Sequence, residues 1–276
     1  MRIAAISDLH IGATHRTCGF RHEPLAFGSF LDALEATHDE IVLLGDIWQL
    51  DHGGLPGRSA ALRALAAARG RARWLDRRIA GGGYTVVHGN HDVWVREALN
   101  AESLLVRTLG DTTAVLVHGD AYDPVLGAAP TLSHAATWFT GRLRWAGLRW
   151  PAEFLEERDV QLKAQRFQGP DGPYASGARQ LSRDHGAQVV VMGHTHVPTL
   201  VDARGVVLAN TGTCSRGRFM GVSLDLLARE ARLFGAGACN EQDRSLGWTI
   251  PARRDGAQRA PVYQTISPSR SRGLPE

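Results

Sequence analysis

Residues 84–99 of the chain run YTVVHGNHDVWVREAL. An apolar run, the tetrapeptide Gly89-Asn90-His91-Asp92 and a segment of helical composition together predict a strand, a tight loop and a helix. The tetrapeptide suits a metal-assisted site better than a core, because Asn90 offers a neutral oxygen ligand, His91 a proton and Asp92 a group that orients the imidazole. Since Asn-His-Asp also forms ordinary turns, a functional interpretation requires that other strands end in the same way.

The composition indicates a globular protein in a reducing, cytoplasmic setting. The 276 residues are 43% hydrophobic, enough for one large domain or two small ones with a sizeable core. A formal net charge of +3 gives no support for a specific nucleic-acid partner. Cys18, Cys214 and Cys239 are widely spaced, which argues against a disulfide framework or a cysteine zinc site. The first residues turn polar too soon for a signal peptide, and no apolar run approaches the roughly 18 residues of a membrane span.

Apolar strands alternate with helical segments along most of the chain, which predicts an α/β fold. Helical patterns are expected over 24–37, 58–79 and 130–167, the last within an insertion at about 124–184. Buried strands are expected over 2–6, 41–44, 84–87, 113–117, 187–192 and 206–209, with edge strands at 220–224 and 231–234. We expect one domain over 1–235 and a polar, poorly ordered tail over 236–276. In such folds, sites form beyond the carboxyl ends of the strands.

Five of these strands are followed by residues that can bind metals. The ligand-type residues are Asp8, His10, Asp46, Asn90, His118, His194 and His196. They supply carboxylate, amide and imidazole groups without a thiolate, which suits Mn, Fe, Zn, Co or Ni better than Ca. Seven donors are too many for one ion and about right for two, which could hold a hydroxide for in-line attack at phosphorus. His91 lies outside this set and could protonate the leaving oxygen.

The order of these motifs closely resembles that of the calcineurin-like metallophosphoesterases. The matching blocks are Asp8-Leu9-His10, Gly45-Asp46, Gly89-Asn90-His91-Asp92, His118-Gly119-Asp120 and Gly193-His194-Thr195-His196. The resemblance implies a four-layer α-β-β-α sandwich, in which two mixed sheets flanked by helices surround a dinuclear metal centre. It also implies that Asp46 bridges two ions, one held with Asp8, His10 and His196, the other with Asn90, His118 and His194. His91 would be the acid or transition-state stabiliser, and Asp92 its partner.

The insertion contains an unusual segment, Trp138–Trp150, with three tryptophans, three arginines and no acidic residue. One interpretation is a lid, in which Arg142, Arg144 and Arg149 meet substrate phosphates and the aromatic rings meet an acyl chain, a base or a lipid surface. A membrane contact of this kind would place the protein at the inner face of the membrane. The alternative is an ordinary helix that packs its aromatic side chains inward and leaves its arginines solvated.

Several details resemble one branch of the family, the UDP-diacylglucosamine diphosphatases of lipid A synthesis. They are the insertion, the run Asp8–Gly12 and the run Gly45–Trp48. This resemblance implies hydrolysis of a sugar-nucleotide pyrophosphate with Mn as the favoured metal, although Gln49-Leu50-Asp51 and Cys214-Ser215-Arg216 depart from the branch pattern. We expect a phosphohydrolase that acts on a phosphodiester or pyrophosphate. A protein Ser/Thr phosphatase and a non-catalytic scaffold of the same fold are the alternatives.

Overall fold

A computed structural model of the chain describes residues 1–52, 57–128, 130–166, 169–236 and 247–249. The strands of the described part are β1 (Arg2–Ile6), β2 (Ile11–Gly12), β3 (Glu40–Leu44), β4 (Trp48–Gln49), β5 (Tyr84–Val87), β6 (Leu105–Leu109), β7 (Thr112–Leu116), β8 (Val189–Met192), β9 (Thr199–Asp202), β10 (Val207–Asn210), β11 (Phe219–Asp225), β12 (Glu230–Ala236) and β13 (Gly247–Thr249). The helices are α1 (Pro24–Thr37), α2 (Arg58–Arg71), α3 (Arg73–Ala80), α4 (Val95–Leu99), α5 (Pro124–Ala128), α6 (Pro130–Trp145), α7 (Arg149–Arg166) and α8 (Pro173–His185).

The strands form two large mixed sheets and a short two-stranded ribbon. The first sheet has the order β13-β12-β11-β1-β3-β5, with β1, β3 and β5 parallel and the other neighbours antiparallel. The second has the order β6-β7-β8-β10-β9, with a parallel centre of β7, β8 and β10 between antiparallel edges. The parallel strands carry the motifs, so their carboxyl ends bring distant parts of the sequence to one edge of the fold.

Alternating residues show how the layers stack. Along β1, Ile3 and Ala5 pack against the second sheet, whereas Ala4 and Ile6 pack against α1, α2 and α3. Strand β8 alternates in the same way between the first sheet and α8. Because successive strand residues point to opposite faces, each sheet buries both sides. The order helices, sheet, sheet, helix confirms the expected four-layer α-β-β-α sandwich.

Two helical segments differ from the sequence-based expectation. The long helix expected over 58–79 is interrupted at Ala72, whose backbone (φ −110°, ψ 44°) is not helical. The break follows Gly70, a weak helix former, and allows α3 to pack the buried Leu75 into the core. The helical insertion is likewise divided into α6 and α7 by a turn in which Gly147 has a φ of 85°. Periodicity alone does not reveal such breaks, because the apolar spacing continues across them.

The segment expected as a tail contributes one strand. Gly247–Thr249 pair with β12 as the outermost strand of the first sheet, where β12 would otherwise expose an edge. The rest of the expected tail, 237–246 and 250–276, lies outside the described residues. Among the helices of the described part, none is both long enough and apolar enough to cross a bilayer.

The loops after β1 and β3 run side by side beyond the first sheet. The N–H of Asp8 donates to the carbonyl of Gly45 (3.1 Å) and the N–H of His10 to that of Asp46 (3.0 Å). The ribbon formed by β2 and β4 continues this pairing. As a result, the first two predicted ligand blocks, 38 residues apart in sequence at Asp8 and Asp46, lie next to each other.

Candidate metal centre

Strained backbone marks the ends of the motif strands. In the described residues ten non-glycine residues have positive φ, and five of them are predicted ligands. They are Asp8 (56°), His10 (50°), Asp46 (53°), His194 (67°) and His196 (60°). Residues other than glycine seldom adopt this left-handed backbone conformation, and such strain is concentrated at functional sites. The turns therefore direct these side chains toward a common point at a cost in backbone energy.

One cluster joins Asp8, His10 and His196. Nε2 of His196 lies 3.1 Å from Oδ1 of Asp8 and 3.1 Å from Nε2 of His10, and the three residues can offer their ligand atoms to one ion. Nδ1 of His10 lies 2.7 Å from the Oε1 of Gln49. Because a carbonyl oxygen only accepts, Nδ1 carries the proton and Nε2 presents its lone pair to the cluster. Burial lowers the pKa of His10 to about 3, which favours this neutral form.

A second cluster joins Asp46, His118 and His194. Nε2 of His118 lies 3.2 Å from Oδ2 of Asp46, while its Nδ1 donates to the carbonyl of Leu44 (2.9 Å). Burial lowers the pKa of His118, but the adjacent carboxylate of Asp46 more than reverses this effect and raises the pKa well above its ordinary value. The buried carboxylate thus creates a strong preference for a positive charge at this point.

A buried polar atom in the loop after β5 tests whether a metal fits. Oδ1 of Asn90 has no hydrogen-bond partner, and the next residue, His91, donates its N–H to Asp46 (2.9 Å). Burying such an atom without a partner costs about 1–3 kcal/mol, so an unpaired amide oxygen requires an explanation. Amide oxygen, carboxylate and imidazole are all ligand groups for divalent transition metals. Asn90 and the residues of the second cluster therefore fit a metal ion.

Asp46 connects the two halves of the centre. It belongs to the second cluster and also to a group with His10 and His91, whose ligand atoms lie within 4.8 Å of one another. Its other oxygen, Oδ1, accepts the backbone N–H of His91 (2.9 Å). The structure thus brings all seven predicted ligand residues to one edge of the sandwich, with Asp46 in the middle.

The predicted partner of His91 was wrong. Nδ1 of His91 lies 2.8 Å from Oδ2 and 3.0 Å from Oδ1 of Asp51, so the imidazole donates to Asp51 and not to Asp92. Its Nε2 is turned toward the ligand cluster, 3.9 Å from Oδ2 of Asp46. Burial lowers the pKa of His91, but the carboxylates of Asp51 and Asp46 outweigh burial and raise it to about 10. The two carboxylates therefore favour the protonated form of His91.

Asp92 instead organises the backbone of two loops. It is buried, and its carboxylate accepts the N–H groups of Gly89 (2.7 Å), Ile47 (2.8 Å), Trp48 (3.1 Å) and Asp46 (3.3 Å). These bonds fasten the loop after β5 to the loop after β3. Asp92 thus keeps Asp46 and Asn90 in register, and its assignment as a catalytic residue is not supported.

Sequence reasoning missed several residues behind the ligands. Gln49 lies between His10 and Asp51, accepting from the former and donating to the latter. Asp123 accepts from Nε2 of His194 (2.8 Å), and Lys163 in turn contacts Asp123 (3.2 Å). For Gln49 and Asp51, the available signal in the sequence was that Gln49-Leu50-Asp51 departs from the branch pattern. For Lys163, the only signal was that it is the single lysine of the chain.

The arginines of the insertion have different environments. Arg144 is only 3% exposed and its guanidinium makes two bonds to Glu156 (2.9 and 2.6 Å). Its predicted role in binding a substrate phosphate is therefore not supported. The guanidinium of Arg142 lies over the ring of Trp138, 4.9 Å from the centroid, and Arg149 is exposed at the start of α7.

The aromatic side chains of the insertion do not pack inward, contrary to one of the two interpretations of its sequence. Trp145 is 52% exposed and Trp150 is 75% exposed. The ring of Trp150 stacks on that of Phe154 at a centroid distance of 5.8 Å. We define the exposed apolar surface as Phe139, Trp145, Leu148, Trp150, Phe154 and Leu155.

Comparison with known proteins agrees with this geometry. Residues 1–198, which include all seven ligand-type residues and His91, match the family model of the calcineurin-like phosphoesterases. The chain belongs to this family. As a calcineurin-like phosphoesterase it is a hydrolase that acts on phosphoric ester bonds, and its candidate ligand clusters agree with a metal-binding protein.

Solved structures resemble this phosphoesterase at low sequence identity. Vps29 from Chaetomium thermophilum has 12% identity and a TM-score of 0.47, over 91% of this chain and 99% of that chain. The phosphoesterase Yfce from E. coli has 16% identity and a TM-score of 0.40, over 91% and 100%. A novel archaeal phosphodiesterase has 14% identity and a TM-score of 0.40, over 86% and 100%. No curated protein matches the chain, and the family assignment rests on the family model.

Proposed function

We propose that this phosphoesterase hydrolyses a phosphodiester or pyrophosphate bond with two divalent metal ions, of which manganese is the expected one. The His196 site would consist of Asp8, His10, Asp46 and His196. The His194 site would consist of Asp46, Asn90, His118 and His194. The observation that carries this proposal is the pair of ligand clusters, which the group of His10, Asp46 and His91 connects, together with the unpaired buried Oδ1 of Asn90. When bound, such ions supply an activated water and neutralise charge on the phosphoryl oxygens.

His91 would act on the leaving group. Asp51 holds Nδ1–H, so the protonated Nε2 is directed at the ligand clusters. From there it can donate its proton to the departing oxygen or stabilise negative charge on the phosphoryl group. Gln49 links this imidazole–carboxylate pair to His10, so the acid and the His196 site share one hydrogen-bonded support.

The substrate class is proposed from the insertion. Lys163 connects α7 to Asp123 beside His194, which places the insertion next to the ligand clusters. The exposed apolar surface on the same helices suits an acyl chain or a lipid surface, and Arg142 and Arg149 suit anionic groups. These features favour a lipid-linked pyrophosphate such as a UDP-diacylglucosamine, hydrolysed at the inner face of a membrane to which the insertion binds.

Substrate comparison with Mn-loaded protein tests the proposal. We expect about two Mn per chain, turnover of bis(p-nitrophenyl) phosphate, and faster turnover of UDP-diacylglucosamine than of phosphopeptides. Asp46→Ala and His91→Ala should abolish most of this activity, while His38→Ala, a histidine bonded to Ser223 in the first sheet, should keep it. Hydrolysis of phosphopeptides alone would identify a protein phosphatase. A chain that binds no metal would be a scaffold.

A further inference from the structure

A buried carboxylate stands behind one of the proposed ligands. Asp123 follows the short turn Asp120–Tyr122 and is 4% exposed. Its Oδ1 accepts the backbone N–H of Val125 (2.8 Å) and, at 3.3 Å, that of Leu126. Two backbone donors on one oxygen hold the carboxylate in a single orientation, because backbone groups cannot rotate away as side chains do. The other oxygen is therefore directed at a defined point.

That second oxygen receives two donors from different parts of the fold. Oδ2 of Asp123 accepts from Nε2 of His194 at 2.8 Å and lies 3.2 Å from Nζ of Lys163. Lys163 is 9% exposed and also contacts Asp159 at 2.9 Å. Since Lys163 and Asp159 belong to α7, the insertion itself supplies the cation that balances Asp123. A buried carboxylate without such a partner would be strongly destabilising.

The hydrogen bond to Asp123 decides how His194 presents its ring. A carboxylate only accepts, so Nε2 carries the proton and Nδ1 keeps the lone pair that a metal requires. The same bond limits rotation of the ring and increases the electron density of the ligand nitrogen. Carboxylate partners of this kind affect metal affinity by roughly 10- to 100-fold.

We infer that Asp123 and Lys163 are positioning residues for His194, through which the insertion controls the metal affinity of the His194 site. The inference rests on the proposed function, because it requires that His194 binds a metal. Neither residue belongs to the seven ligands. The insertion is then part of the metal centre's support, in addition to any contact it makes with substrate.

The test is a titration of Mn²⁺ into metal-free protein, followed by calorimetry and by the electron paramagnetic resonance of the ion. Wild type should bind two ions. Asp123→Asn, which keeps the shape but removes the charge, should bind one ion as wild type does and the other roughly 10- to 100-fold more weakly. The matched control is Glu40→Gln, which removes a partly buried carboxylate paired with Arg107 (2.7 Å) at the opposite end of the first sheet. It should leave both affinities unchanged.

Lys163→Met separates positioning from simple electrostatics. Removing a cation near the site would tighten Mn²⁺ binding if charge alone mattered, because repulsion of the ion would fall. Loss of positioning predicts the opposite, weaker binding at the His194 site, with partial recovery in Lys163→Arg. Near-ultraviolet circular dichroism shows whether each variant is folded. If Asp123→Asn does not fold, Lys163→Met alone tests the positioning of His194.

The possible failures can be told apart. If wild type binds two ions and both variants bind them with unchanged or higher affinity, the inference is overturned and the proposed function stands. If wild type binds no Mn²⁺, both are overturned. If Asp123→Asn weakened the binding of both ions equally, the inference would also be overturned, because Asp123 contacts a residue of only one site.

Discussion

His91 depends on a carboxylate from a different loop. Asp51 lies 40 residues earlier in the chain and holds Nδ1 of His91 at 2.8 Å. In the proposed mechanism the proton for the leaving group is on Nε2, so the strength of His91 as an acid depends on its orientation and charge, both of which Asp51 favours. The two residues should therefore behave as one unit in kinetics.

A double-mutant cycle checks this coupling. His91→Asn should lower kcat by roughly 10²–10⁴ and Asp51→Asn by a smaller factor, while the double variant should be no worse than His91→Asn. The loss should be larger for a phenyl phosphodiester than for its p-nitrophenyl analogue, since p-nitrophenolate leaves readily without a proton. Steady-state kinetics at full Mn occupancy measure these effects. Independent, multiplicative losses would contradict the coupling.

The charge of His91 also predicts how stability depends on pH. Burial lowers the pKa of His91, but Asp51 and Asp46 raise it to about 10, against an ordinary value of 6.5. Because the pKa of His91 is raised in the folded state, its protonation stabilises the fold. This stabilisation is fully present below pH 6.5 and is lost as the pH rises through about 10. The unfolding free energy of metal-free wild type should therefore fall between pH 6.5 and about 10. In His91→Gln this fall should be shallower, by at most about 1.4 kcal/mol per pH unit.

Denaturant unfolding in a chelator, repeated across this pH range, measures the slope. The control is His38→Gln, because burial lowers the pKa of His38 and its effect is confined to pH below 6.5. Identical slopes for wild type and His91→Gln between pH 6.5 and 10 would show that His91 is not held as a charged group.

At the level of the elements, tight strand ends bring the ligands together. Gly45 follows β3 with a φ of 85°, and a Cβ built there would lie 2.6 Å from Cγ of His118. The first sheet thus approaches the His118 loop so closely that a side chain at Gly45 cannot be accommodated. The glycine is needed both for its backbone conformation and for the space it leaves.

Two glycine substitutions separate these requirements. Gly82 has nearly the same φ (82°) but nothing within 4 Å of its added Cβ. Gly82→Ala should therefore lower the free energy of unfolding by only about 1–2 kcal/mol, because alanine disfavours the left-handed backbone. Gly45→Ala should cost a further 1–3 kcal/mol or so for the clash and should weaken Mn²⁺ binding at the His194 site. Urea unfolding and metal titration of both variants provide the comparison, and equal behaviour would contradict the proposed close contact.

At the scale of the whole molecule, the insertion is fastened to the sandwich by polar contacts and also carries exposed apolar side chains. Arg16 donates to the carbonyl of Trp145 (3.0 Å), Arg21 pairs with Glu153, and Arg216 pairs with Glu156. These contacts, with that of Lys163, fasten the helices to the sandwich, while the side chains of the exposed apolar surface stay about half or more exposed. Clusters of exposed apolar side chains often mark interaction sites.

The surface leads to a prediction about membranes. Wild type should sediment with vesicles that contain phosphatidylglycerol, and replacing Trp145 and Trp150 by serine should lower the bound fraction several-fold. The matched control replaces Leu25 and Leu227, which are 79% and 78% exposed outside this surface, by serine. An equal loss in the control, or none in the tryptophan variant, would contradict membrane binding.

Much of this protein follows from the amino-acid sequence alone. Apolar runs that end in ligand-type residues indicated the buried strands, the α/β fold and the meeting of the candidate ligands at one edge, because each motif is covalently attached to its strand end. The four-layer arrangement was implied by the resemblance of the motifs to the calcineurin-like metallophosphoesterases, and the nearly all-apolar strands β1 and β8 agree with sheets that are covered on both faces.

Only the tertiary structure decided which groups support the ligands. Asp51 replaces Asp92 as the partner of His91, and Asp123 reaches His194 from 71 residues away. Lys163 completes that contact from the insertion. Such pairings depend on how separate loops approach one another in space, and distance along the chain does not encode this approach. A neighbour in sequence, such as Asp92 beside His91, can point to the opposite side of a turn and bind backbone instead.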